Sequence, residues 1–160
     1  MRRIFQIVAI VSVLLNGLLI YFFFFRGNTA KVDDNRTAIV MTPENKQFVL
    51  QEMRLFVEGV QQIQEGIVTN NPQLIIKSGE SHGKEPLLTA PNGLIRSLSK
   101  EFKTMAFGTH DIFKEIADSA RVDYNPMRTQ QQLNKLLNSC VACHRVYRIR
   151  TQEEIIAKQH

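Results

Sequence analysis

Apolar residues recur at Val49, Met53, Phe56, Val60, Ile63 and Ile67, in alternating steps of four and three. This is the spacing of a helix with one face toward a core, because residues three and four apart share a side of a 3.6-residue turn. The preceding "MTPEN" marks the start: Thr42 suits the N-cap, Pro43 the first helical position and Glu44 the first turn. "TNNPQ" interrupts the stripe, and Pro72 predicts a shorter second helix through "QLIIKSG". Residues 79–93 hold Gly79, Gly83, Gly93, Pro86 and Pro91 and read as a loop. A third stripe runs through Ile95, Leu98, Phe102, Met105, Thr109, Ile112 and Ile116, widened by Leu94, Phe113 and Ala117. It predicts one helix of roughly 25–30 residues, ending near "DYNP", where Pro126 biases Asn125 away from helical geometry. A fourth segment from about Met127 to Ile149 carries Leu133, Leu136, Leu137, Cys140, His144 and Tyr147 on its face. No strand alternation bounded by turns and no internal repeat is visible. The expected fold class is all-α, an antiparallel four-helix bundle.

The N-terminus follows another pattern. Arg2 and Arg3 precede an apolar run from Ile4 to Phe25, with Gln6, Asn16 and Gly17 among its few non-apolar positions, long enough to cross a bilayer as a helix. The run ends in "YFFFFRGNTA", and the best cleavage position, after Ala30, has Asn28 where a small residue is wanted. An uncleaved N-terminal transmembrane helix is therefore preferred to a cleaved signal. Arg2 and Arg3 favour a cytoplasmic N-terminus, and either reading sends residues 31–160 out of the cytoplasm. The expected organisation is an anchor or signal segment at 1–30, a polar tether at 31–41, a helical domain at 42–150 and a C-terminal tail at 151–160. The expected location is the inner membrane with the domain facing the periplasm.

The exported part is enough for one domain with a single core. The net charge of +5 falls to +2 once Arg2, Arg3 and Arg26 of the anchor region are set aside. With no Lys/Arg-rich run interleaved with aromatics, nucleic acid is not an expected partner.

Both cysteines of the chain stand in "NSCVACHRVYR", three residues apart, with His144 directly after the second. Three chemistries use such a spacing: a disulfide or redox dithiol, half of a zinc site, and covalent haem attachment through C-x-x-C-H. A thioredoxin-like dithiol wants a βαβ pattern beside it, and the chain has none. A structural zinc site wants four ligands, whereas Cys140, Cys143 and His144 are three and His82, His110 and His160 are isolated in sequence. A simple disulfide leaves the histidine unexplained. Haem accounts for all three residues: on one helical face both thiols can add to the two vinyl groups of a porphyrin, and His144 brings an imidazole to the iron. The expected cofactor is one covalent haem c.

"CVACHRVYR", close to the C-terminus of a four-helix pattern, resembles the cytochrome c-prime family and its low-spin, methionine-ligated relatives. The likeness covers about residues 42–150 in helix order, and the final helix is its specific part. It implies haem carried on the last helix, His144 as proximal ligand and a distal face covered by the first helix. The long N-terminal apolar run departs from that family, whose members are usually soluble after signal cleavage. Met53 lies on the stripe of the first helix where the family places either a methionine ligand or an apolar blocking residue; methionine at such a position is otherwise ordinary core. Met105 and His110 are weaker candidates for the distal side. Tyr147 and Arg148, one turn beyond the motif, are expected to pack on the porphyrin and to meet a propionate or the proximal imidazole, against a solvated face for Arg148.

Two functions follow from what faces the iron. A closed axial pair suits a membrane-tethered electron carrier with a redox partner protein; an open distal position suits a gas-binding protein for nitric oxide or carbon monoxide. No nucleophile elbow, paired acidic motif or second metal motif points to an enzyme. A homodimer is compatible with either function.

Overall fold

In the computed structural model, residues 2–22, 27–32, 34–83 and 90–157 are described. The chain is mostly helical, with a lone apolar helix at its N-terminus and a small sheet. α1, Arg2–Tyr21, has no buried residue and is long and apolar enough to cross a membrane. β1 (Thr29–Lys31) and β2 (Thr37–Val40) follow, then α2 (Pro43–Val68), α3 (Pro72–Ser81), α4 (Leu94–Ser97), α5 (Lys100–Val122), α6 (Pro126–Val146), β3 (Tyr147–Arg150) and α7 (Gln152–Ile156).

The helix starts follow local chemistry. Thr42 accepts from the Asn45 amide with Pro43 behind it, Asn71 caps α3 in front of Pro72, and Asn125 caps α6 in front of Pro126. α2, α3, α5 and α6 pack around Ile63, Ile75, Phe113, Ile116, Leu133 and Leu136, all fully buried. Neighbours run antiparallel: Ser78 donates to the Gly59 carbonyl between α3 and α2, while Gln132 meets Ser119 and Lys135 meets Glu115 between α6 and α5. The four helices are not of equal length, however. α3 has 10 residues and α2 has 26, so the regular bundle expected from periodicity is interrupted where α3 stops.

Four further expectations change. The third periodic segment is two helices, because Leu98 and Ser99 are extended and Ser99 caps α5 afresh. The loop at 79–93 begins later, since α3 runs on to Ser81; residues 84–89 lie outside those described. The polar tether is partly strand, with β1 antiparallel to β2. The fourth helix ends at Val146, not near Ile149, and residues 147–150 form β3, parallel to β2 with Thr37 opposite Tyr147 and Ile39 opposite Ile149. Parallel pairing requires a partner from a distant part of the chain, so a pattern within four residues could not announce it.

The sheet closes a second core. Ile39 and Met41 are buried with Leu94, Leu98 and Phe102, and Tyr147 and Ile149 pack against them. Gly27 lies on the α4–α5 junction with φ of +58°; a Cβ there would fall 2.3 Å from the Ser99 nitrogen, so only glycine allows this approach. The Asn28 amide then donates to the Ser97 carbonyl. The expected C-terminal tail carries α7, capped reciprocally by Thr151 and Glu154 and tied to α2 by the Lys46–Glu154 ion pair.

Candidate cofactor cleft

α3 ends level with Gly59 of α2 and His110 of α5, so the earlier parts of α2 and α5 have no α3 beside them. The hydrophobic stripes do not stop there: Phe48, Val49, Met53 and Phe56 continue on α2, and Phe102, Ala106 and Phe107 on α5. These faces, with Leu94, Ile95 and Leu98 on the α4 side, line a largely apolar cleft of about 100 Å³ that opens to the surface. α6 supplies the remaining wall with Cys140, Cys143 and His144. An adjoining space of about 180 Å³ shares Met53, Phe102, Cys143 and His144 and adds Arg36, Tyr147 and Arg148. The two spaces meet along Met53, Phe102, Cys143 and His144, so apolar side chains stay uncovered beside the cysteine motif.

The two thiols are unpaired and half-buried. Burial raises the pKa of both, and the neighbouring Cys140 raises Cys143 further. Burial thus works against the ready thiolate that a redox dithiol would favour. Among the described residues no group of three or more His, Cys, Asp or Glu side chains could hold a metal ion. A haem brings four equatorial nitrogens of its own and needs only axial groups from the protein.

The sequence candidates are partly brought together. Met53 lines both spaces with His144, and Met105 is not among the lining residues. His110 reaches the cleft. Tyr147 and Arg148 belong to β3, not to a further helical turn. The Tyr147 ring meets Phe102 edge-on at 5.3 Å, and burial raises its phenol pKa. The Arg148 Nη1 donates to Asp34 at 2.8 Å.

Arg36 and Asp34 were not visible as site residues. Arg36 forks onto Asp34 through Nε at 2.9 Å and Nη2 at 2.6 Å, while its Nη1 donates to the His144 carbonyl at 3.3 Å. Held by these guanidinium hydrogen bonds, Asp34 has its pKa lowered to about 2. No local signal marks residue 36, which meets residue 144 only through the fold. Among the described residues Glu52 is the one acidic residue lining the cleft; a carboxylate within the Val49–Met53–Phe56 stripe was the available clue.

Compared with protein-family models, with curated proteins and with solved structures, the chain has no match.

Proposed function

We propose that the chain is a membrane-anchored c-type cytochrome that carries electrons through one covalent haem. The observation that carries this reading is that Cys140, Cys143 and His144 form one wall of a largely apolar cleft between α2, α4, α5 and α6. The residues present fit the group: two protonated, unpaired thiols for the thioethers, an imidazole for the iron, and apolar walls from α2, α4 and α5 for the ring. Haem would supply a reversible one-electron couple, with its potential set by the axial ligands and their surroundings. The chain's own part is to exclude water with Phe48, Phe56 and Phe102 and to hold His144 from behind through the Arg36 bond to its carbonyl.

Met53 is the protein group that would offer the iron a second ligand beside His144, since it lines both spaces that His144 lines. The domain is then an antiparallel four-helix bundle of the cytochrome c-prime kind, with its fourth corner shortened and a sheet added. α1 anchors it in the inner membrane with the haem side in the periplasm, where a redox partner protein is met.

The experiment is denaturation in acid followed by extraction with organic solvent. Haem should remain on the polypeptide, and Cys140→Ser with Cys143→Ser should abolish attachment. Haem that leaves the unmutated chain would sink the proposal.

A further inference from the structure

His110 closes one end of the cleft. It is 4% exposed, and its Nδ1 lies between two backbone carbonyl oxygens, 2.9 Å from that of His82 and 2.8 Å from that of Gly83. Carbonyl oxygens only accept, so Nδ1 carries a hydrogen. The bond satisfies carbonyls at the C-terminal end of α3, where a helix leaves its last acceptors without intrahelical partners.

A capping role accounts for one ring nitrogen. The ring also lines the cleft with Phe56, Thr109, Cys140 and His144. Phe56 braces it edge-on, with centroids 4.9 Å apart and planes at 70°. Among the described residues nothing hydrogen-bonds Nε2. The uncharged ring with its hydrogen on Nδ1 has its lone pair on Nε2, and the α3 carbonyls prevent the tautomer from reversing.

The geometry points to His110 Nε2 as a fixed hydrogen-bond acceptor for a small ligand in the haem cleft, one that carries an N–H or O–H proton. This rests on the haem reading above and adds a selectivity to it. Carbon monoxide and nitric oxide bring no proton and gain nothing from the lone pair, whereas an azole, amine or water ligand gains one hydrogen bond. A bond of that kind is worth about a two- to tenfold difference in affinity.

The test uses full-length ferric protein in detergent carrying Met53→Ala, which removes the thioether and opens room beside it. Imidazole and 1-methylimidazole are titrated separately and followed by the shift of the haem absorption band. The preference for imidazole should exceed that of a haem peptide in water by about two- to tenfold. His110→Asn should bring it down to the peptide's value. Asparagine keeps a donor near the position of Nδ1, so the cap on α3 is preserved while Nε2 is lost. An unfolded variant would also fall to the peptide's value, so the ratio counts only where His110→Asn keeps the helical circular dichroism and thermal midpoint of its parent, and the ¹⁵N measurement below tests the tautomer without any substitution at His110. A ratio unchanged by His110→Asn overturns the proposal, and so does a ¹⁵N spectrum of the diamagnetic ferrous protein that puts the His110 hydrogen on Nε2. Protein without a haem band to titrate overturns the underlying haem reading instead, and the two failures are told apart by that band.

Discussion

Ser139 donates a hydrogen bond to Thr109, their hydroxyl oxygens 3.2 Å apart between α6 and α5. The direction follows from Thr109, whose own hydrogen goes to the Met105 carbonyl at 3.1 Å. The pair is one residue from Cys140 on α6 and one from His110 on α5, so it fixes the register that brings both to the same cleft. Ser139→Ala should cost about 1 kcal/mol, read as a lower urea midpoint. An unchanged midpoint would mean that water replaces the serine at no cost.

Helix contacts above the cleft predict opposite outcomes for two glycines. A Cβ on Gly79 would lie 2.6 Å from the Phe113 carbonyl oxygen and 2.7 Å from the Ala117 Cβ, whereas one on Gly108 meets nothing within 4 Å. Alanine gains up to about 1 kcal/mol in a helix interior, but overpacking against backbone costs about 1–3 kcal/mol. Gly79→Ala should therefore lower the thermal midpoint and Gly108→Ala should raise it. Equal shifts in the two variants would contradict the close approach of α3 to α5.

If Met53 is the sixth ligand, the ferric protein is low-spin. Met53→Leu should then give a high-spin form that binds carbon monoxide faster after reduction. Leucine keeps nearly the same apolar volume and offers the iron no lone pair, so packing changes little while coordination is lost. A ferric spectrum that is high-spin in the unmutated protein and unaltered by the substitution removes Met53 from the iron. The gas-binding reading then moves ahead of electron transfer.

Acid should act on the residue 34–36 turn. The Asp34 pKa is lowered from 3.8 to about 2, first by the Arg36 hydrogen bond and further by Arg148. A depressed carboxyl pKa stabilises the fold above the unfolded value and loses that contribution as pH falls through the folded one. Stability should therefore drop between about pH 4 and pH 2, and Asp34→Asn should flatten the curve in that window. The carboxylate is exposed, so solvent screening keeps the effect at pH 7 small. Parallel curves for the two proteins, measured by denaturation across pH 2–5, would assign the acid transition to other carboxylates.

The anchor makes a separate prediction. Full-length protein should stay with the membrane after carbonate extraction, and protein lacking residues 2–22 should not. A mature N-terminus near Lys31, found by sequencing, would show cleavage instead. That outcome leaves the haem assignment intact.

Local chemistry determined a good part of this protein. The stripe from Val49 to Ile67, the cap at Thr42 and the helix starts at Pro43 and Pro72 are interactions within a few residues, so they were readable along the chain and recur in α2 and α3. The same holds for Cys140, Cys143 and His144, whose relation is set by helical spacing, and for the apolar run that becomes α1. Tertiary structure alone decided that α3 would stop at Ser81 and leave a corner open, that residues 147–150 would leave the helix to pair with β2, and that Arg36 would reach His144 across 108 positions. It also decided that His110 would spend Nδ1 on the end of α3. Each of these depends on a partner supplied by a distant segment, and the free energy of such a contact exists only once the chain has closed the loop between them.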